Sequence, residues 1–258
     1  MHQPTLRVIK ILEATAGGGE LKLSELSSKL NIPKSTLSPI LNTLAECGYL
    51  SGEGGEYTPG VALYSFGNAF SGSFPVIEYV KERLKRLVFE FGETCYFGVL
   101  DGGYVLYVDK VDSTNPLRVL VTTGRRLPAY STGIGKALLT DKTEEELLEL
   151  YPDGFERITD KTVTDVKRLL EELKAARESG YTEEIEESTE HIRCFGAPIR
   201  KGGKVAAAIS IAIPVFRFDG NRGKAMADAL KKTAEEISEV LDKTGANIDN
   251  IFGRAFIL

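Results

Sequence analysis

Residues 21–57 constrain this chain more than any other stretch, because their punctuation specifies helix, turn, helix and hairpin in immediate succession. Ser24 is placed as an N-cap, and Leu23, Leu26 and Leu30 then recur on one helical face until Asn31 and Pro33 break the pattern. The next helix starts near residues 33–35. It carries Leu37, Ile40, Leu41 and Leu44 at i, i+3, i+4 and i+7 before Gly48 supplies the left-handed residue that ends it. Its other face presents Lys34, Ser35, Thr36, Ser38, Asn42 and Thr43, short polar side chains able to reach phosphates and base edges from a major groove. Residues 49–51 and 56–58 flank Gly52-Glu53-Gly54-Gly55 as a hairpin with glycines at its tip. The pattern reads as a winged helix-turn-helix whose second helix recognises double-stranded DNA. An ordinary small helical subdomain would show the same amphipathicity.

With 258 residues the chain exceeds the commonest domain size, so two domains are expected. No apolar run approaches the roughly 20 residues of a membrane span, and the N-terminus lacks the basic and apolar regions of a secretory signal, which points to the cytoplasm. Cys47, Cys95 and Cys194 are odd in number and lack CxxC spacing, which argues against a disulfide framework and a zinc cluster. With His2 and His191 the only histidines, neither a metal nor another cofactor is expected. Residues 1–60 hold five basic groups (Arg7, Lys10, Lys22, Lys29, Lys34) and six acidic ones (Glu13, Glu20, Glu25, Glu46, Glu53, Glu56). Non-specific affinity comes from displacing phosphate counterions, so one such module binds DNA weakly and useful affinity requires two or more copies on one site.

The first helix suggests where copies meet. Leu6, Val8, Ile9, Ile11 and Leu12 cover over half its circumference, more than one small core requires, so a homodimer seam and deeper burial within the same domain both stand as readings. Pro59 and Gly60 mark the exit from a first domain of residues 1–59, and Leu63, Phe66 and Phe70 then define a linker helix over residues 60–74, stopped by Ser71-Gly72-Ser73. Pro75 opens a second domain, residues 75–258, with the stripe Val76, Val80, Leu84, Leu87, Val88 and Phe91 ending at Gly92. Residues 94–100 and 104–111 form a hairpin across Asp101-Gly102-Gly103, and residues 117–122 read as a third strand. Helices follow around 134–139, 143–150 and 164–179, then strands at 181–186, 192–199 and 205–213, and a final helix near 222–243. Hairpin-joined strands with helices in blocks give an α+β class with an antiparallel sheet.

The order of these elements resembles the IclR family of transcriptional regulators, and two stretches carry the likeness. Tyr130-Ser131-Thr132-Gly133-Ile134-Gly135-Lys136-Ala137-Leu138-Leu139 is close to that family's Ser-Thr-x-x-Gly-Lys-Ala segment, and Gly180, Glu184, Glu187, Cys194, Gly196 and Ile199 keep the spacing of its C-terminal signature. Pro33-Lys34-Ser35-Thr36 also resembles the start of its recognition helix. Glu184 stands where the family commonly has Asp, Phe195 replaces an aliphatic residue, Arg200-Lys201 replaces an aromatic-acidic pair, and Pro39 removes a backbone donor near the first turn of the recognition helix.

The resemblance implies a C-terminal domain of GAF-like or profilin-like type, an antiparallel sheet flanked by helices, that takes a small effector from the organic acid or aromatic metabolite class. It also implies a homodimer or a dimer of dimers, acting as a repressor or dual regulator of an operator. Carried over by position, Gly133 and Ile134 lie against the effector, with Glu184, Ile192, Cys194 and Ser210 lining the remainder; Ala212 stands where a second hydroxyl is frequent. Ser131 to Gly135 form a strand-to-helix junction whose backbone N–H groups, with Ser131 and Thr132, can hold a carboxylate. Ser131 and Thr132 equally suit simple capping, Cys194 plain packing, and Glu184 a solvated acidic cluster with Glu183, Glu186 and Glu187. An enzyme lacks a visible base-orienter pair, His191 being the sole internal histidine. A redox sensor using Cys95 or Cys194 would not explain the winged N-terminus.

Overall fold

The computed structural model describes residues 2–17, 19–72 and 74–244, so Gly18, Ser73 and the apolar tail 251–258 lie outside it. Two compact units divide the chain at residues 73 and 74. In the first, α1 (Gln3–Ala16), α2 (Leu23–Leu30) and α3 (Lys34–Glu46) close around Ile11, Ala14, Leu26, Ile32, Leu37, Leu41, Leu44 and Leu50. A three-stranded sheet covers one end, with β3 (Glu56–Pro59) between β1 (Leu21–Lys22) and β2 (Leu50–Ser51). The wing tip is a single 3-10 turn, Glu53–Gly55. Only one stripe of α1 is used internally: Ile11 is fully buried, Leu6, Val8 and Leu12 are half-buried, and Ile9 is 39% exposed.

Ser24 does not cap α2. Leu21 and Lys22 pair with Tyr57 and Glu56, so the chain is extended up to Lys22, which becomes the cap, and Ser24 falls inside the helix. The Glu25 carboxylate, at the third helical position, accepts the N–H of the cap residue Lys22 at 2.7 Å, the reverse of the bond a capping serine hydroxyl would make. At the exit of the wing, Gly60 donates its N–H to Tyr49 O at 2.8 Å and Ala62 donates to Gly48 O at 3.0 Å. A Cβ at Gly60 would lie 2.2 Å from Gly48 O, so only glycine lets α4 (Val61–Gly72) begin there. Val61, Tyr64, Phe66 and Phe70 on α4 are exposed within this unit.

The second unit is a six-stranded antiparallel sheet between two helical layers. Its strands are β4 (Thr94–Asp101), β5 (Tyr104–Val111), β6 (Arg126–Pro128), β7 (Thr182–Ile185), β8 (Ile192–Lys201) and β9 (Lys204–Pro214), in the order β6-β5-β4-β9-β8-β7. Alternation along the strands makes two different faces. Cys95, Phe97, Val99, Phe195, Ala197, Ile199, Ala207, Ile209, Ile211 and Ile213 point toward α5 (Pro75–Phe91) and α9 (Gly220–Thr244) and fill the larger core with them. The opposite face of β8 and β9 is small, with Cys194, Gly196, Ala208, Ser210 and Ala212, and α6 (Gly133–Leu139) packs against it. Outside α6 lie α7 (Glu144–Leu150) and α8 (Val166–Ser179).

The expected third strand at 117–122 is absent; β6 takes the place beside β5 instead. The 117–122 stretch alternates like a strand because Val119 and Val121 face inward while Leu117 and Leu120 are exposed, yet it joins no ladder. None of the described helices is long and apolar enough to cross a membrane.

Candidate functional site

Two places collect the residues singled out from the sequence. The first is the outer face of α3. Leu37, Leu41 and Leu44 are buried, which turns Lys34, Ser35, Asn42 and Thr43 outward; Thr36 and Ser38 are half-buried at the margins. Pro39 and Glu46 share the exposed face, an outcome that the same helical periodicity contains although neither was counted as a candidate. α3 continues through Pro39 without interruption, and Thr43 Oγ1 donates to Pro39 O at 2.9 Å. The exposed face of α3 is therefore uncharged except for Lys34 and Glu46, which flank it from opposite ends of the helix.

The second place is a small cavity between the small-residue face of the sheet and the start of α6. The residues around it include Thr132, Gly133, Ile134, Ile192, Cys194 and Ser210, so six of the expected positions converge. Register explains why: Tyr96 pairs with Ser210 and Ser210 with Gly196, while Ala212 pairs with Cys194 and Cys194 with Glu184. These two rows cross neighbouring strands on one face. A Cβ at Gly196 would lie 2.2 Å from Gly133 O, so glycine there lets the first turn of α6 rest on the sheet, where Thr182 Oγ1 also donates to Gly133 O at 2.7 Å.

Two expected residues stand outside the wall. Ser131 is fully buried and donates its hydroxyl to Pro128 O at 3.0 Å, so it serves the turn into α6. Thr132 caps the helix, accepting the Gly135 N–H at 3.1 Å, and lines the cavity as well. Glu184 is next to Cys194 on the adjacent strand, one step from the cavity. Ala212 lines the cavity too, and the sequence did not single out Tyr96, Tyr107, Val119, Val121, Leu127, Ser188 and Thr189, which complete the wall. The two tyrosine rings meet edge to face at 5.4 Å. Tyr96 Oη donates to Val119 O at 2.9 Å and accepts the Val121 N–H at 3.2 Å, pinning the 117–122 segment over the site.

The cavity has a volume of about 30 Å³, of the order needed for one water molecule, so a metabolite enters only if the walls move. A larger cleft of about 870 Å³ runs along α8 and β7, but the charged groups at its floor are already paired. Lys136, 1% exposed, donates to Glu172 at 2.6 Å and to Glu187 at 2.5 Å. The cleft therefore offers mostly satisfied charge, whereas the cavity offers hydroxyls and apolar walls.

Beside this cavity, Glu184 is a buried group with an unused hydrogen-bonding atom among the described residues. It is fully buried, its Oε1 accepts from the N–H groups of Glu187 and Ser188, the latter at 3.2 Å, and its Oε2 has no hydrogen-bond partner among the described residues. Burial pushes its carboxyl up to about 7, with the neighbouring Glu187 adding to the rise and the backbone N–H groups and Lys136 opposing it. Of the acidic cluster, Glu184 and Glu187 are buried while Glu183 is exposed, so the solvated-face reading fails for the two inward residues. Burial also pushes the Cys95 and Cys194 thiols up, with Glu93 adding to it at Cys95 and Glu184 at Cys194. Reactive sensor cysteines need the opposite, a stabilised thiolate. Among the described residues no group of three His, Cys, Asp or Glu could hold a metal ion.

Comparison with known proteins bears on both units. Residues 5–54 match the IclR helix-turn-helix domain and residues 69–239 match the bacterial transcriptional regulator IclR C-terminal domain. The chain is 33% identical to the HTH-type transcriptional regulator KdgR of Escherichia coli over 90% of each protein. Among solved structures, Thermotoga maritima IclR aligns with a TM-score of 0.73 and 29% identity, covering 93% of this chain and 99% of that one. An IclR homolog of Microbacterium hydrocarbonoxydans, solved in complex with 4-hydroxybenzoate, shares the fold with a TM-score of 0.79 at 23% identity over 91% and 97% of the two chains. The winged N-terminal unit and the α+β C-terminal unit are thus those of a known regulator class, and the chain belongs to the IclR family of bacterial DNA-binding transcriptional regulators.

Proposed function

We propose that the C-terminal unit binds a small organic acid in the cavity between the sheet and α6, and that its occupancy changes the operator affinity of paired N-terminal units. The observation that carries this is the convergence of Thr132, Gly133, Ile134, Ile192, Cys194 and Ser210 around one cavity beside Glu184, a buried carboxyl with an unused oxygen. Hydroxyls of Thr132, Ser188, Ser210 and Tyr107 would give the effector hydrogen-bonding partners, and among the described residues no Lys, Arg or His lines the wall. An anionic effector is then accommodated with Glu184 protonated, because two adjacent negative charges in a low-dielectric site repel. Glu184 lies close enough to enter a network with the ligand through the Cys194 position.

On the DNA side, Lys34, Ser35, Thr36, Ser38, Asn42 and Thr43 would contact the operator from the major groove. The half-exposed face of α1 and the aromatic face of α4 would meet a second copy. The test is calorimetry of the full-length protein against a panel of short aliphatic acids and 4-hydroxybenzoate, each run on wild type and on Ser210→Ala. Saturable binding of one acid, weakened by the substitution, supports the site. Binding that Ser210→Ala leaves unchanged places the effector elsewhere.

A further inference from the structure

Pro39 is the residue of α3 for which the fold has no use. It sits in the interior of a 13-residue helix, exposed, and takes no part in the core of Ile11, Leu26, Leu37, Leu41 and Leu44. Proline is the most costly residue a helix interior can hold, because its ring crowds the preceding turn and it has no N–H to give the carbonyl four residues back, here that of Ser35. Alanine at 39 would satisfy every packing requirement visible in this unit. A costly residue at a position with no structural demand points to a demand from outside the chain.

The helix geometry says where that demand comes from. At about 100° per residue, Ser35, Pro39, Asn42 and Glu46 fall within about 60° of one another, diametrically opposite Leu37, Leu41 and Leu44. Pro39 therefore occupies the middle of the outermost line of α3, flanked by Ser35 a turn before and Asn42 nearly a turn after. Its side chain carries neither donor nor acceptor. Set against the polar edge of a guanine, cytosine or adenine it would leave hydrogen-bonding groups unpaired. The one feature of the major groove that an apolar ring can favour is the thymine C5-methyl group.

We propose that Pro39 is a specificity-determining residue that packs on a thymine methyl in each operator half-site. The inference rests on α3 entering the major groove. The test uses the full-length protein and a random-centre duplex library, with selection run in parallel on wild type and Pro39→Ala. Thymines of the sequence selected by wild type are then replaced one at a time by deoxyuridine, which removes only the methyl. Wild type is expected to lose on the order of fivefold in affinity at one thymine per half-site. Pro39→Ala should be indifferent to that replacement, accept other bases there, keep the rest of the selected sequence, and melt at a higher temperature than wild type. A wild-type protein that tolerates uracil at every thymine, or a Pro39→Ala variant with the wild-type preference, overturns the inference while leaving groove binding by α3 intact. Enrichment of no sequence at all by wild type overturns groove binding itself, and this inference with it.

Discussion

At the scale of single residues, Glu184 makes the sharpest demands. Its ordinary value is 4.5 and burial lifts it to about 7, so the folded chain holds a proton that the unfolded chain has released across this interval. Stability is unaffected by the group below about 4.5, falls as pH rises toward 7, and stays reduced above it. Glu184→Gln keeps an oxygen for the Glu187 and Ser188 N–H groups and carries no charge. It should leave the melting temperature unchanged near pH 4.5 and raise it by a few degrees at pH 8, read by scanning calorimetry. A shift of equal size at both pH values would mean that the gain is packing and not relief of charge. An anionic effector should bind wild type more weakly as pH rises through 7, and Glu184→Gln should flatten that dependence; calorimetric titrations at pH 6 and 8 decide it.

The cavity wall was legible where a residue's identity is diagnostic, as with Gly133 and Cys194. It was hidden where a residue reads as ordinary core. Tyr96 and Tyr107 are alternate aromatic positions on strands, indistinguishable by pattern from packing residues until register puts Tyr96 beside Ser210.

Among elements, the 117–122 segment shows how a correct pattern yields a wrong assignment. Its alternation is real, but its inward valines line the cavity, and its backbone bonds go to the Tyr96 hydroxyl and, at Thr122 O, to the Arg125 N–H at 3.2 Å, not to a neighbouring strand. Tyr96→Phe removes both of that hydroxyl's bonds, at about 1 kcal/mol each. Amides of the segment should then exchange faster with deuterium and effector association should accelerate severalfold. Unchanged exchange would show that side-chain packing alone holds the segment. Gly196→Ala acts on the opposite wall: its Cβ would meet Gly133 O, forcing α6 off the sheet at a cost of roughly 1–3 kcal/mol or more, measurable by urea denaturation. Wild-type stability with wild-type effector binding would contradict the close seating of α6. The longer helices and the two glycine hairpins were plain from periodicity and turn chemistry. β1 and β6 were not, because two or three residues carry no period and pair only once the partner strand is in place.

For the whole molecule, the chain's net charge of −5 and the −1 of its first 60 residues oppose a phosphate backbone, five basic groups against six acidic. Affinity for an operator must then come from specific contacts made by more than one copy, which is the physical reason behind the proposal that the α1 and α4 faces meet a second copy. A tenfold effector response needs about 1.4 kcal/mol of coupling between the two sites. Gly67, in the interior of α4 with open space around it, weakens that helix relative to alanine. If α4 transmits the signal, Gly67→Ala should alter the ratio of operator affinities with and without effector while leaving effector binding in the isolated titration unchanged. An unaltered ratio would remove α4 from the path.

The most direct measurement is binding of the full-length protein to the DNA fragment upstream of its own coding sequence, against an unrelated fragment of equal length, at low and moderate salt and with and without an acid found to bind the C-terminal unit. Preferential binding by two or more copies, weakened by salt and shifted by the acid, is the predicted result. Equal affinity for both fragments, indifferent to the acid, would contradict an effector-controlled regulator built on this cavity.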